Sequence, residues 1–210
     1  RGVSIYDIET GMAVHEIEQE TPWGVQTMDW HPTQELLTCS YAQNVIGIWD
    51  TRNYELIDTI HTVSNNVRSV QWSPDGTHLV IGGWGIYTSV IEYPSKRLVS
   101  RFTSSGKERL AKWMPDGQSL VCEGENNTTL VLVDSNTGEA IGNPISPNIG
   151  NIWYFEPHPT KPWMAICGPT GNTVIWDIEN SIALREFNDR SSYVGRVNWH
   201  PAKDLLIATG

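Results

Sequence analysis

The sequence predicts an all-β fold built from repeated four-stranded antiparallel units, and three observations carry that expectation. A proline-closed phrase recurs five times: Trp30-His31-Pro32, Trp72-Ser73-Pro74, Trp113-Met114-Pro115, Pro157-His158-Pro159 and Trp199-His200-Pro201, with the prolines 42, 41, 44 and 42 residues apart. A second marker keeps the same period between them, as Tyr6-Asp7, Trp49-Asp50, Val133-Asp134 and Trp176-Asp177, with Glu92-Tyr93 where the third member falls. Lastly, no segment sustains the i, i+3, i+4, i+7 apolar spacing of an amphipathic helix, while 18 Gly, 12 Pro and 10 Trp suit many short strands and turns. A fixed period of this length marks a repeat architecture.

Each repeat reads as strand, turn, strand, turn. In the second, Val67–Trp72 is a β-prone run ended by Ser73-Pro74-Asp75-Gly76. Proline presets φ in that turn and glycine accepts a positive φ. Leu79-Val80-Ile81 follows, then an expected Gly-rich break at Gly82-Gly83, then Thr88–Ile91 and, past Pro94-Ser95, Leu98–Phe102. On this spacing residues 1–18 supply a third and a fourth strand, 25–60, 67–102, 109–145 and 151–187 supply four complete units, and 195–210 supply a first and a second strand.

A Trp-Asp pair ending the third strand, a Pro-Asp-Gly-like turn after the first, and this period resemble the WD-repeat β-propeller family over essentially the whole chain. The resemblance implies a propeller of four-stranded antiparallel blades, either a closed five-bladed ring or part of a seven-bladed one. Both ends abut strand-like segments, and the chain is expected to be part of a longer one. Members of the family commonly tie each blade with a His, a Ser or Thr, an Asp and the Trp. Here the Ser/Thr position reads Cys39, Ile81, Cys122, Ile166 and Ala208, and the Asp position reads Gln43 and Thr170. Apolar packing is therefore expected to hold the blades.

Composition narrows the function. A net charge of −10 argues against a nucleic-acid domain, whose phosphate contacts need a basic surface. No apolar run reaches the ~18 residues of a membrane-spanning helix. Cys39 and Cys122 occupy one repeat position on different blades, too far apart for a disulfide. Reduced core cysteines point to the cytoplasm, with the nucleus as the alternative. His31, His158 and His200 share the place before the turn proline and are expected to cover strand ends rather than to gather round a metal. No Gly-x-Ser-x-Gly elbow or phosphate-binding loop is present, so neither catalysis nor a cofactor is expected.

The resemblance implies instead a non-catalytic interaction scaffold. It also implies that the loops entering the first strand and those joining the second to the third open on one face. Those loops offer Trp23, Asn65, Asn66, Arg68, Lys107, Arg109, Trp153, Tyr193 and Arg196, and Tyr41, Trp84, Tyr87 and Asn126. Aromatics and arginine are the types enriched at binding hot spots. The expected partner-binding set is Trp23, Tyr41, Asn65, Arg68, Trp84, Tyr87, Arg109, Trp153, Tyr193 and Arg196, and the expected partner is a protein or peptide within a multiprotein complex. An alternative rests on Trp49-Asp50-Thr51-Arg52, which resembles the box by which some WD-repeat proteins serve as substrate receptors of cullin-RING ubiquitin ligases. That box lacks its upstream Asp, and Gly47 stands where a basic residue is usual.

Overall fold

A computed structural model describes residues 3–17, 24–41, 44–62, 65–84, 87–103, 110–188 and 193–210. It forms β1 (Val3–Tyr6) and β2 (Ala13–Ile17), then β3 (Val25–Trp30), β4 (Leu36–Tyr41), β5 (Val45–Asp50) and β6 (Glu55–His61). Next come β7 (Asn65–Trp72), β8 (His78–Trp84), β9 (Tyr87–Glu92) and β10 (Leu98–Thr103), then β11 (Ala111–Trp113), β12 (Ser119–Glu123), β13 (Leu130–Asp134) and β14 (Ala140–Ile145). The last are β15 (Tyr154–Pro157), β16 (Trp163–Cys167), β17 (Asn172–Asp177), β18 (Ile182–Asn188), β19 (Arg196–Trp199) and β20 (Leu206–Thr209). The sheets are β3–β6, β7–β10, β11–β14 and β15–β18, each a four-stranded antiparallel meander, with two-stranded sheets β1–β2 and β19–β20 outside them. These are the blades of a propeller. Among the described residues no ladder joins β20 to β1, the pairing that a five-bladed ring needs.

The repeated residues explain the repeated form. The aspartate at the end of the third strand, present in every repeat but that of β9, folds back on its own turn. Asp7 Oδ1 accepts the amide N–H of Glu9 and Thr10, Asp134 Oδ1 those of Asn136 and Thr137, and Asp177 Oδ1 that of Asn180. An Asx turn of this kind satisfies backbone donors that the hairpin leaves over. Just before it the ladder slips at Ile5/Tyr6, Ile48/Trp49 and Ile175/Trp176, the same bulge in three repeats.

The repeat histidine works between blades. Nδ1 of His31, His158 and His200 accepts backbone N–H groups two or three residues on. His31 Nε2 lies 3.0 Å from the carbonyl oxygen of Gly76 in the next blade. The His31 and His158 rings also meet Trp72 and Trp199 of the following blade edge-on, at 4.6 and 4.7 Å between centroids. Gly76 has φ +74°, and a Cβ there would stand 2.3 Å from His31 Cε1. Glycine is required at that position by both conformation and space.

Apolar packing fills the rest. Cys39, Ile81, Cys122 and Ile166 are buried, whereas Ala208 on the outermost strand is exposed. Cys39, Cys122 and Cys167 are free thiols in the core, and burial pushes their pKa values up to about 11, 12 and 11. The expected break at Gly82-Gly83 is not formed, because β8 runs through both glycines to Trp84. There the β7–β8 ladder slips twice, between Asn65 and Ser69, and glycine suits the close backbone approach at a bulge.

Candidate functional site: one mouth of the central channel

The first strands β3, β7, β11, β15 and β19 stand side by side around a shared channel, and residues of all five line its two cavities. The residue before each repeat tryptophan, or before Pro157, belongs to this lining: Asp29, Gln71, Lys112, Glu156 and Asn198. Several bind the neighbouring blade as well. Asp29 accepts the Trp72 N–H at 2.8 Å, Gln71 Oε1 accepts the Trp113 N–H at 3.0 Å, and the Glu156 carbonyl accepts the Trp199 indole N–H at 2.9 Å.

Between them sits a polar cluster. Lys112 Nζ pairs with Glu156 and donates to the Tyr154 hydroxyl at 2.8 Å, and that hydroxyl donates to Glu156 Oε2 at 3.0 Å. Burial disfavours the Lys112 charge, but the Glu156 carboxylate and these hydrogen bonds outweigh it and hold the ammonium above its ordinary pKa. Burial raises the Tyr154 phenol, against the pull of Lys112. Asp29 is pushed up to about 6 by burial, which exceeds the help of the Trp72 N–H and Lys112. None of these groups was singled out from the sequence. The available signal was one repeat column, polar in all five repeats.

The loops that lead into β15 and β19 carry exposed side chains next to strands of this cluster. Trp153 and Tyr193 are 46% and 44% exposed, with ring centroids 5.8 Å apart. Each aromatic is anchored by a buried aliphatic neighbour. Ile149 and Ile152 sink into the core beneath Trp153, the Ile152 N–H donates to the Asn127 carbonyl and the Trp153 N–H to that of Cys167. Val194, beside Tyr193, is fully buried against Ala165, Cys167, Ile175 and Val197, and its N–H donates to the Gly168 carbonyl. A Cβ on Gly168 would stand 2.1 Å from the Asn151 carbonyl oxygen, so that glycine lets the two loops close up. Arg196, exposed at the start of β19, lays its guanidinium 5.3 Å from the Tyr154 ring centroid.

The other expected residues lie elsewhere. Arg68 is half-buried in the channel lining. Tyr87 is half-buried, with the Arg101 guanidinium 5.4 Å from its ring centre. Tyr41 is only 2% exposed and sits in the core, its hydroxyl accepting the Trp49 indole N–H at 2.6 Å. Asn65 and Trp84 pair through the backbone at the ends of β7 and β8, and their side chains lie outside the described set, as do Trp23 and Arg109 altogether. In the Trp-Asp-x-Arg box, Arg52 donates to both oxygens of Asp50, at 3.0 and 2.5 Å, and holds its carboxyl down at about 2. Gly47 is explained by packing, since a Cβ there would lie 2.8 Å from the Tyr41 ring.

Comparison with known proteins agrees with this architecture. The family model described as "WD domain, G-beta repeat" matches residues 55–85, which run from β6 through β8 and so straddle two sheets. The chain is 24% identical to WD repeat-containing protein AAC3 of Dictyostelium discoideum over 178 residues, 78% of this chain and 35% of that protein. It is 26% identical to polyadenylation factor subunit 2 of Gibberella zeae over 68 residues, 32% of this chain and 11% of that protein. The matched regions span only about a third or less of these relatives.

Proposed function

As this chain is a WD-repeat protein, we propose that it is a non-catalytic interaction scaffold that binds a peptide or protein segment at the channel mouth bearing Trp153, Tyr193 and Arg196. The observation that carries this reading is the exposed Trp153–Tyr193 pair, held by buried neighbours on both loops. Rigid loops lose little conformational entropy when a partner docks, so their contacts count more fully toward affinity. Large aromatics and arginine are also the side chains that dominate binding energy at interfaces. WD repeats act generally as platforms for assembly, and one relative is by name a subunit of a larger factor. On this reading the chain performs no reaction; it places partners.

Affinity capture with quantitative mass spectrometry tests the proposal. The parent protein and the double variant Trp153→Ala/Tyr193→Ala are compared, with unfolding curves confirming that both are folded. The reading expects proteins enriched by the parent to fall away with the variant. Unchanged capture by a folded variant overturns it.

A further inference from the structure

The channel holds a cavity of about 190 Å³ whose lining includes Arg68, Lys112, Arg196, Asp29 and Tyr154, the chain neighbour of Trp153. A buried water takes about 30 Å³, so the space accommodates a planar anion and the one or two methylenes that carry it. Its charges are unequal. Glu156 is committed to Lys112 and Tyr154, and Asp29 to the Trp72 N–H. Among the described residues Arg196 has no acidic partner, only the Tyr154 ring beneath it. The guanidinium carbon lies 5.3 Å from that ring's centroid, and the side chain is exposed at the cavity's edge. A planar guanidinium fork matches a carboxylate with two parallel hydrogen bonds.

Resting on the scaffold reading above, we infer that the channel mouth is a receptor for one carboxylate side chain, Asp or Glu, of a docked peptide whose neighbouring apolar residues lie on Trp153 and Tyr193. Arg196 takes the carboxylate, while Lys112 is neutralised by its pair with Glu156 and so does not compete for it. The chain's overall charge of −10 selects a single anion on a peptide over an extended polyanion, whose many phosphates need a broad basic surface.

Fluorescence anisotropy with three labelled nine-residue peptides tests this. Each has a Gly/Ser backbone and two Phe residues flanking a central Glu, Gln or Lys. The Glu peptide is expected to bind the parent about tenfold more tightly than the Gln peptide, the lower range for a charge-assisted hydrogen bond. Arg196→Gln is expected to abolish that preference, Arg196→Glu to shift it toward Lys, and Trp153→Ala to weaken the Glu and Gln peptides by the same factor. Equal binding of Glu and Gln peptides, both dependent on Trp153, overturns the carboxylate receptor and leaves the docking rim standing. Binding that depends on neither residue, or no binding of any peptide, overturns both.

Discussion

Replacing Asp29 by Asn tests the channel electrostatics directly. The carboxyl lines the channel beside Lys112, Glu156, Arg68, Tyr154 and Arg196, accepts the Trp72 N–H, and is pushed by burial to about 6 from an ordinary 3.8. The folded state thus binds this proton more tightly than the unfolded chain does. The contribution to stability is complete below pH ~4 and is lost as pH rises through 6. Two units at about 1.4 kcal/mol each give about 3 kcal/mol, and solvation from the open channel reduces this to about 2 kcal/mol. Asn keeps the acceptor for Trp72 and carries no charge. Urea unfolding of parent and Asp29→Asn at pH 4.5 and pH 7.5 is the assay, and the difference between the two proteins cancels the other titrating groups. The variant is expected to gain about 2 kcal/mol on the parent between those pH values. A difference that stays constant with pH refutes the buried-carboxylate account.

Other consequences follow from the same contacts. Lys112→Ala strands the Glu156 carboxylate in a partly buried site and is expected to cost about 2–4 kcal/mol, whereas Lys112→Met/Glu156→Leu is expected to cost much less, as paired removal of buried charges does; denaturant melts of both measure it. Gly76→Ala combines a φ of +74° with a Cβ 2.3 Å from the His31 ring and is expected to cost about 2 kcal/mol or more. His31→Ala in the same background recovers part of that loss, because the clash is with the His31 ring; a double-mutant cycle reads the recovery.

Much of this molecule is legible in its sequence because the repeat writes the same physics several times. The repeat aspartate closes an Asx turn at Asp7, Asp134 and Asp177, a bulge precedes it at Asp7, Asp50 and Asp177, and the turn histidine is a cap on its own loop and a brace on the next blade. Trp153, Tyr193 and Arg196 were accessible from loop position alone. Tyr41 was not, since a residue at the end of β4 faces inward or outward according to a register slip in β3 that hydrophobic alternation does not reveal. Asp29, Lys112 and Glu156 were hidden for another reason. Their repeat column shares polarity but not chemistry, and their meeting depends on neighbouring blades that bring residues some 40 positions apart into one cavity.

Site-specific photo-crosslinking tests the central claim most directly. A benzoylphenylalanine is placed at Tyr193 on the proposed mouth and, separately, at the exposed turn residue Thr137 between β13 and β14, and the complete protein is irradiated in its native cells. The account predicts discrete partner crosslinks from position 193 that Trp153→Ala removes, and none from position 137. Crosslinks from position 137 alone, or crosslinks from 193 indifferent to Trp153, contradict it.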